Sequence, residues 1–463
     1  MINRTNSPTA ISIADLRSTF KGRIIAPGDP DYDSARAAFY GGIDRHPSVI
    51  IRVQNAEEAA SVVSLARQTG MELAIRSGGH SVAGHCVSDG GIVLDLSDMR
   101  DLQIDVENKT AWAEAGLTAG EVTQAAGAHA LAIGFGDTGS VGIGGITLGG
   151  GVGYLARKYG LTIDDLLAAE IVTAEGQILQ VDAESHPDLF WAIRGGGGNF
   201  GVVTRFQFRL HDVDEIYGGM LFLPATPDTI ASFIALAESA PDELSTIANV
   251  MFAPPMPFVP EEAHGKLIIM GILVYAGDPK EGERVIAPFR QIAPPIADLI
   301  KPMKYPEIYP PEDNSYHPVA AARTMFIDQV DRSVAELIVN RLHTSTAMMS
   351  VVQLRVLGGA MARVPVEETA FAHRRSKIMT NIAALYSQAE EKANHEAWVA
   401  DFAAALKQGD SGAYVNFLGN EGVDRIHAAY PGSTWDRLVA IKTLYDPTNL
   451  FRLNQNIPPI NGG

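Results

Sequence analysis

The residues best suited to chemistry lie in the hexapeptide Arg76-Ser77-Gly78-Gly79-His80-Ser81, which ends a predicted strand at 71–76. Two adjacent glycines allow a tight turn and a close approach of the backbone to a ligand, because neither carries a Cβ atom. Successive free N–H groups in such a turn form a concavity suited to phosphate. The imidazole of His80 would then meet whatever the loop holds. An ordinary Gly-Gly turn with a surface histidine is the alternative.

Glycine is concentrated in a few stretches of this chain. Its 45 glycines exceed average usage, and many fall into clusters at 78–91, 134–153 and 195–201. Such clustering predicts a ligand cradle in preference to a generally loose backbone. A P-loop is excluded because no Gly-Lys-Ser/Thr sequence follows the glycines.

Part of the second glycine cluster matches the sequence pattern of a dinucleotide-binding motif. The sequence Gly151-x-Gly153-x-x-Ala156, with Glu170 at a plausible distance, matches the relaxed form of that pattern. The fingerprint needs a strand immediately before its first glycine, whereas residues 142–150 read as irregular. The sequence therefore disfavours a Rossmann site at this position.

Several segments together resemble one enzyme family. They are the hexapeptide at 76–81, the Gly-Gly-Gly-Asn-Phe-Gly segment ending at 201, the Tyr-Asp-Pro-x-Asn-Leu-Phe sequence at 445–451, and residues 454–459. These segments resemble the FAD-linked oxidases of the vanillyl-alcohol oxidase superfamily, and within it the berberine bridge enzyme-like branch. The resemblance covers nearly the whole chain.

The resemblance implies an α+β fold. A two-part FAD-binding domain of the PCMH type would comprise residues 1–212 and 413–463, and an inserted substrate-binding domain, an antiparallel sheet backed by helices, would comprise 213–412. Hydrophobic patterns and caps predict the individual elements. These are a helix between Asn55 and Gly70, helices at 118–128, 227–239, 278–292, 331–345 and 435–444, hairpins at 102–115 and 166–181, strands at 213–225, 266–275 and 413–417, and a loop at 301–318.

The resemblance also implies the cofactor. In the family, the histidine of the hexapeptide bonds covalently to the 8α-methyl carbon of FAD, and by position that residue is His80. The glycine clusters and the C-terminal sequences would supply the other contacts. The expected cofactor-binding residues are Arg76, Ser77, Gly78, Gly79, His80, Ser81, Thr138, Gly139, Val141, Gly142, Gly145, Gly149, Gly150, Gly153, Asn199, Gly201, Val203, Tyr414, Asn416 and Asn454.

One departure from the family concerns a second covalent link. Many members carry a cysteine in a Cys-Pro-Thr-Val-Gly segment, and Thr138 occupies that position here. Threonine cannot form the thioether, and Cys86 lies in the wrong segment and reads as a small buried hydrophobe. We therefore expect a single bond through His80. In this respect the chain looks more like the bacterial 6-hydroxy-D-nicotine oxidase-type members than like bicovalent sugar oxidases.

A second departure concerns the catalytic base. Plant-type members carry Tyr-x-Asn-Tyr on a late strand, and their second tyrosine is the base, whereas this chain has Phe417 there. Strand alternation would put Tyr414 and Asn416 on one face, which makes them the catalytic candidates. A neutral amine needs no strong base for hydride abstraction, whereas an alcohol must lose a proton. The substitution thus favours an amine, or an alcohol whose base lies elsewhere.

Other residues carry open alternatives. Arg363 could bind an anionic substrate group or lie on the surface, and Tyr309, Tyr316 and His317 could line the pocket from their loop. Tyr414 could equally be a core tyrosine with a satisfied hydroxyl. His85 and His129 have no metal-like partner nearby, so no metal is expected.

The resemblance implies a flavin-dependent oxidase. It would oxidise a small amine or alcohol by hydride transfer to flavin N5, with O₂ as acceptor and H₂O₂ as product. A sugar or oligosaccharide oxidase and a flavin dehydrogenase of the same fold are the alternatives. A flavin-binding module without turnover is a further one, although the intact glycine clusters weigh against it.

Bulk properties restrict the partners and the compartment. The net charge is −18 and no basic run occurs, so neither nucleic acid nor an acidic membrane surface is an expected partner. With 463 residues the chain is long enough for more than one domain, and its single cysteine excludes an intrachain disulfide. No signal-peptide core or membrane-spanning run is present, so we expect a cytoplasmic protein.

Overall fold

Strands and helices are both abundant in the computed structural model, which describes residues 12–310 and 316–460. The described chain forms a four-stranded sheet, a five-stranded sheet, a two-stranded pair and an eight-stranded sheet. This mixture of helices and antiparallel sheets agrees with the α+β expectation.

The first part of the chain alternates short strands with short helices. Its strands are β1 (Arg23–Ile25), β2 (Val49–Arg52), β3 (Leu73–Arg76), β4 (Ile92–Asp95), β5 (Leu102–Asp105), β6 (Thr110–Glu114), β7 (Leu131–Ala132), β8 (Leu166–Val172), β9 (Ile178–Asp182), β10 (Val202–Arg209) and β11 (His211–Asp212). Its helices are α1 (Ile13–Thr19), α2 (Tyr32–Arg36), α3 (Ala56–Thr69), α4 (Ala119–Gly127), α5 (Ile143–Leu148), α6 (Ala156–Tyr159) and α7 (Pro187–Ile193).

Two sheets organise this part. The first sheet has the order β1-β2-β4-β3, and strands β2 and β3 both run parallel to β4. Helix α3 connects β2 to β3. Asn55 caps α3 by accepting the N–H of Glu58, and Gly70 ends it with a φ of 67°. The second sheet is antiparallel and ordered β5-β6-β10-β8-β9. Strand β3 leads directly into the Gly78-Gly79 loop, so the first sheet positions that loop.

The middle part is built on the eight-stranded antiparallel sheet. Its strands are β12 (Glu215–Pro224), β13 (Leu244–Phe252), β14 (Leu267–Tyr275), β15 (Ala297–Asp298), β16 (Lys301–Lys304), β17 (Val319–Ile327), β18 (Met349–Val356) and β19 (Ile378–Tyr386). The order is β15-β12-β14-β13-β18-β19-β17, and β16 also pairs with β12. The helices are α8 (Pro227–Ser239), α9 (Pro279–Arg290), α10 (Arg332–Leu342), α11 (Ala360–Arg363) and α12 (Lys392–Leu406).

One face of this large sheet is covered by helices. The apolar sides of α8, α9, α10 and α12 pack on alternate strand residues and form one buried cluster, with Phe233, Phe289, Ile338 and Phe402 at its centre. Because side chains alternate across a strand, the residues between these core positions face the other way. That second face looks towards the glycine-rich first part of the chain.

The C-terminal segment returns to the first part. It contains α13 (Val423–Ala429) and α14 (Ser433–Tyr445). Tyr430, Leu438, Phe451 and Ile457 are buried in the same hydrophobic cluster as the five-stranded sheet. Residues near 430 and 451–457 therefore complete a core that begins more than 300 residues earlier in the sequence.

The structure differs from the sequence expectation in three places, and one is the segment 142–150, where Ile143–Leu148 form helix α5 instead of an irregular stretch. Residues 413–417 are not a strand, because the N–H of Phe417 bonds to the carbonyl of Tyr414 over 3.0 Å and closes a 3-10 turn at Val415–Phe417. The expected loop at 301–318 begins with β16, because Lys301–Lys304 pairs antiparallel with β12. Residues 311–315 of that loop lie outside the described part. Within the described residues, no helix has the length and apolar character that crossing a membrane would require.

A buried ion pair fastens the C-terminal segment. The ammonium of Lys442 on α14 donates to Asp446 over 2.6 Å and to the carbonyls of Asn199 and Phe451 over 2.7 and 3.1 Å. Asp446 also accepts the N–H groups of Leu450 and Phe451, each over 2.8 Å. Both charged side chains are fully buried. Burial lowers the pKa of Lys442, whereas the neighbouring Asp446 raises it.

We expect Lys442→Met to destabilise the protein strongly, because it leaves the Asp446 carboxylate buried without its partner. Breaking a buried pair in this way costs about 3–5 kcal/mol. Lys392→Met is the matched control, because Lys392 pairs with Glu396 on an exposed surface, where the loss is about 0–1 kcal/mol. The free energy of unfolding from urea titration distinguishes the two variants, and equal losses would contradict the role given to Lys442.

Candidate functional site

A cavity of about 460 Å³ lies where the first part of the chain, the large sheet and the C-terminal segment meet. The loop after β3, the second glycine cluster, residues 197–203 and residues 414–418 form most of its wall. The expected cofactor-binding residues that line it are Ser77, Gly78, Gly79, His80, Ser81, Thr138, Val141, Gly142, Gly145, Asn199, Gly201, Val203, Tyr414, Asn416 and Asn454. The structure therefore brings together segments that are far apart in the sequence.

Two glycine segments touch backbone to backbone along one wall. A Cβ atom on Gly78 would lie 2.2 Å from the amide nitrogen of Gly142, and one on Gly142 would lie 2.2 Å from that of Gly78. The Ser77 hydroxyl joins this contact, because it donates to the Ala115 carbonyl over 2.6 Å and accepts the N–H of Gly144 over 3.3 Å. Only glycine fits at both positions, so the first two glycine clusters form a single surface.

His80 lies in this wall with its ring held on two sides. The imidazole stacks on Phe39, with the ring centroids 4.1 Å apart and the planes 17° apart. Its Nε2 lies 3.1 Å from the Ser140 hydroxyl oxygen. Gly79 has a φ of 77°, in the left-handed region, and its carbonyl accepts the Cys86 thiol over 3.6 Å. Burial raises the pKa of Cys86, which keeps this thiol protonated.

Tyr414 and Asn416 lie side by side at another wall, but their polar groups are already engaged. The Tyr414 hydroxyl oxygen accepts the N–H groups of Gly151 and Val152 over 3.1 and 3.3 Å, and the Asn416 amide over 2.9 Å. Asn416 also donates to the carbonyl of Ile146 over 3.0 Å. Burial raises the pKa of Tyr414 against the lowering effect of these hydrogen bonds. The pair holds the second glycine cluster in place and offers no ready base.

Five expected cofactor contacts do not line the cavity. One is an arginine whose guanidinium turns away and donates to the carbonyls of Ala35 and Ala37 over 2.7 and 2.6 Å. The others are glycines, and three of them, Gly149, Gly150 and Gly153, give room to neighbouring protein groups: a Cβ atom on Gly149 would lie 1.9 Å from the Asn416 oxygen. These residues are Arg76, Gly139, Gly149, Gly150 and Gly153.

Asparagine side chains connect the third glycine cluster to the C-terminal segment. Asn199 donates to the carbonyls of Gly196 and Gln455 over 2.9 and 3.1 Å. Asn454 donates to the carbonyl of Gly198 over 3.2 Å, yet its own Oδ1 is buried without a partner. The hydroxyl of Tyr430, which also lines the cavity, is likewise buried without a partner. A buried polar atom of this kind needs a partner that the described protein does not supply, such as an ordered water or a ligand.

The other candidate residues, three in the loop at 301–318 and one arginine, lie outside the cavity. The Tyr309 hydroxyl donates to the carbonyl of Gly136 over 3.1 Å behind the wall, Tyr316 is exposed, and His317 bonds to a backbone carbonyl. Arg363 pairs with Asp242 over 2.6 Å on the surface. None of these four residues lines the cavity, and the surface alternative for Arg363 is the one observed.

Several cavity residues escaped the sequence analysis. Ala322, Gln353 and Asn381 come from the second face of the large sheet, and Tyr40 and Asp137 flank the His80 side. Asp137 stands inside the second glycine cluster, so its place in the sequence was a usable signal. Ala322, Gln353 and Asn381 lie in ordinary strand sequence with no motif around them. Only the pairing of strands that are distant in the chain brings them to the cavity.

Charge is nearly absent from the cavity. Among its described lining residues, Asp137 is the only Asp, Glu, Lys or Arg, and it pairs with the buried guanidinium of Arg355. Arg355 also donates to the carbonyl of Val152 over 2.6 Å. Burial lowers the pKa of His85 to about 4, so that imidazole is neutral near pH 7. The cavity therefore offers neutral polar groups and backbone N–H groups in place of cations.

Comparison with known proteins gives this site a family. The family described as "FAD binding domain" matches residues 47–182, and "Berberine and berberine like" matches residues 413–458. An FAD-linked oxidoreductase of Dictyostelium discoideum is 31% identical, with 89% of each chain covered. The (R)-6-hydroxynicotine oxidase of Paenarthrobacter nicotinovorans is 29% identical, with 95% of this chain and 97% of that protein covered.

A solved structure agrees with these relatives. The crystal structure of 6-hydroxy-D-nicotine oxidase from Arthrobacter nicotinovorans superposes with a TM-score of 0.85 at 28% identity, covering 95% of this chain and 98% of that one. The chain belongs to the berberine bridge enzyme-like family of FAD-linked oxidoreductases, which confirms the resemblance drawn from its motifs. It is an FAD-binding enzyme that acts on a small molecule.

The residues of the cavity fit FAD. Glycine segments without Cβ atoms leave room for a flat ring system and for phosphate against backbone N–H groups. The unpartnered Tyr430 hydroxyl and Asn454 carbonyl oxygen offer hydrogen bonds to the same molecule. Since no lysine or arginine lines the described cavity, the backbone is the main source of positive potential for the pyrophosphate.

We expect Gly78→Ala to weaken FAD binding, because its Cβ atom would push the Gly142 backbone away from the wall. Overpacking of this kind costs about 1–3 kcal/mol. Gly419→Ala is the control, since the nearest atom to its Cβ would be 4.0 Å away, on Glu421. The ratio of flavin absorbance to protein absorbance after gel filtration measures retained FAD. Full retention in the Gly78 variant would show that this backbone contact is dispensable.

Proposed function

We propose that this enzyme carries FAD on a single covalent bond through His80, without a cysteinyl link, and oxidises a small amine or alcohol with O₂ as acceptor. Residues 1–212 and 413–463 hold the cofactor, and residues 213–412 contact the substrate. The observation that carries the proposal is the position of His80, which projects from the glycine wall into a cavity that fits FAD. A relative named for the oxidation of (R)-6-hydroxynicotine, which contains an amine nitrogen, supports this substrate class.

The surroundings of His80 support the single link. Phe39 and Ser140 hold its imidazole in one orientation. Thr138 lines the same cavity at the position where many members carry the linking cysteine, and its hydroxyl bonds to Asp137 over 3.3 Å. Cys86 also lines the cavity, but its protonated thiol is directed to the carbonyl of Gly79. A protonated thiol is a poor nucleophile.

When bound, FAD would supply the hydride acceptor at N5 and the reactivity with O₂ that yields H₂O₂. The protein orients the substrate and excludes water from it. The residues at the end of the cavity near 414–417 and Asp137 offer no ready base: the Tyr414 oxygen already accepts N–H donors, the Phe417 side chain has no ionisable group, and Asp137 is paired with Arg355. This arrangement suits an amine that arrives as the free base, because its oxidation requires no deprotonation of the reacting group.

We expect His80→Ala to fold but to lose the acid-stable flavin. Acid precipitation of the purified protein should leave yellow colour in the pellet of the unmodified enzyme and in the supernatant of the variant. Intact mass should show one FAD increment for the former and none for the latter. Cys86→Ser is the control and should retain the increment. A His80 variant that keeps covalent flavin would overturn the linkage.

The reaction is tested by a screen of secondary amines, primary amines and primary alcohols with peroxide detection. We expect peroxide from an amine, with kcat/KM rising with pH until the substrate's own ammonium group is deprotonated. Flavin reduction under nitrogen without peroxide formation in air would instead identify a dehydrogenase. A preparation in which no amine or alcohol bleaches the flavin would contradict the proposed substrate class.

A further inference from the structure

Three amide side chains form a row across the large sheet. Asn249 on β13 pairs with Gln353 on β18, and Gln353 pairs with Asn381 on β19, in the backbone register of the sheet. Directly opposed residues in neighbouring strands project to the same face with their Cβ atoms about 5 Å apart. Gln353 and Asn381 line the cavity. We call these three residues the amide row.

Hydrogen bonds fix one end of the amide row. Asn249 donates to the carbonyl of Met270 over 3.3 Å, and its oxygen accepts Nε2 of Gln353 over 3.2 Å. The Gln353 oxygen accepts Nη2 of Arg355 over 3.2 Å, and Arg355 is anchored in turn by the Val152 carbonyl. The orientation of the Gln353 amide is therefore set from both sides. One of its two N–H groups remains for a molecule in the cavity.

The other end of the row is unsatisfied. Asn381 forms no side-chain hydrogen bond to any described residue, and its Oδ1 is buried without a partner. A buried carbonyl oxygen of this kind is costly unless a ligand or water donates a hydrogen bond to it. Because the residue lines the same cavity as His80, a molecule bound in that cavity can supply the missing partner. Gln353 and Asn381 together offer donor and acceptor capacity.

The residues around the amide row determine which charge state of a ligand can bind beside it. Arg355 and Asp137 neutralise each other beside Gln353, and no other Asp, Glu, Lys or Arg lines the described cavity. An ion that enters such a site loses its hydration without gaining a counter-ion, whereas a neutral polar molecule regains its hydrogen bonds. The row thus favours an uncharged ligand.

We propose that Gln353 and Asn381 are specificity residues that bind the substrate in uncharged form. The ligand class is a neutral molecule with a hydrogen-bond donor and an acceptor on adjacent atoms, such as a carboxamide, a hydroxylated heteroarene or a free-base amine with a neighbouring hydroxyl. Cationic and anionic forms of the same skeleton are rejected. This inference rests on the proposed function, because it assigns the substrate side of the same cavity.

The test uses three probes of nearly equal size: benzamide, benzylammonium and benzoate. Each is titrated at pH 7 into the full-length, FAD-loaded protein, and the change in the visible flavin spectrum gives Kd. We expect benzamide to bind at least about tenfold more tightly than either ion, since two neutral hydrogen bonds are gained and no ion is desolvated. A charged probe that binds as tightly as benzamide, or the absence of a spectral change with all three, overturns the inference.

Variants separate the row from general polarity of the cavity. Gln353→Met and Asn381→Leu keep size without the amide, and each should weaken benzamide about five- to tenfold. Gln353→Glu should reverse the preference towards benzylammonium. Gln329→Glu makes the same chemical change at an exposed position outside the cavity and should leave every Kd unchanged. An unaltered benzamide Kd in both the Met and Leu variants counts against the row.

The flavin content of each preparation distinguishes two kinds of failure. If the unmodified protein holds no FAD, the proposed function itself fails. If the protein holds FAD and the probes bind without the expected preference, only the assignment of Gln353 and Asn381 fails. Retained flavin absorbance and an unchanged melting temperature show that each variant is folded.

Discussion

The close backbone contact between Gly78 and Gly142 is the constraint on which the rest of the site depends. It joins two segments more than sixty residues apart with no side chain between them. The surface that results is flat and rich in peptide groups, which suits an aromatic ring system and a diphosphate better than it suits a compact polar ligand. Asn416 and Tyr414 then fill the space behind the later glycines and prevent that surface from shifting.

A single guanidinium connects the large sheet to this surface. Arg355 reaches from β18 to the Val152 carbonyl, to Asp137 and to Gln353, so one buried cation touches the glycine cluster, a carboxylate of the cavity and the amide row. The sheet and the glycine wall therefore share a hydrogen-bond network. Its charges cancel internally, which leaves the space between them polar but uncharged.

Much of this molecule could be predicted from its sequence, because the informative features are local. The glycine clusters and the hexapeptide ending at Ser81 identified the family and most of the cavity wall. Caps and apolar spacing located α8 at Pro227–Ser239, which matches the predicted 227–239. These signals depend only on neighbouring residues, so tertiary structure does not alter them.

The features that the sequence did not predict depend on contacts between segments that are far apart in the chain. Residues 413–417 have the composition of a strand, yet they form a 3-10 turn from which Tyr414 and Asn416 bond to the glycine cluster. The short strand β16 contains Pro302 and exists only because β12 lies beside it. Gln353 and Asn381 looked like ordinary strand residues, and only the register of β18 with β19 brings them together.

The contribution of the C-terminal segment bears on how the enzyme matures in the cell. Part of the cavity wall comes from residues 414–418 and 451–455, which are synthesised more than 300 residues after the loop that carries His80. The loop that carries His80 is therefore synthesised well before the residues that form the opposite side of the cavity. Because these residues complete the cavity, a nascent chain that stops before helix α14 lacks one wall of the place where the flavin would bind.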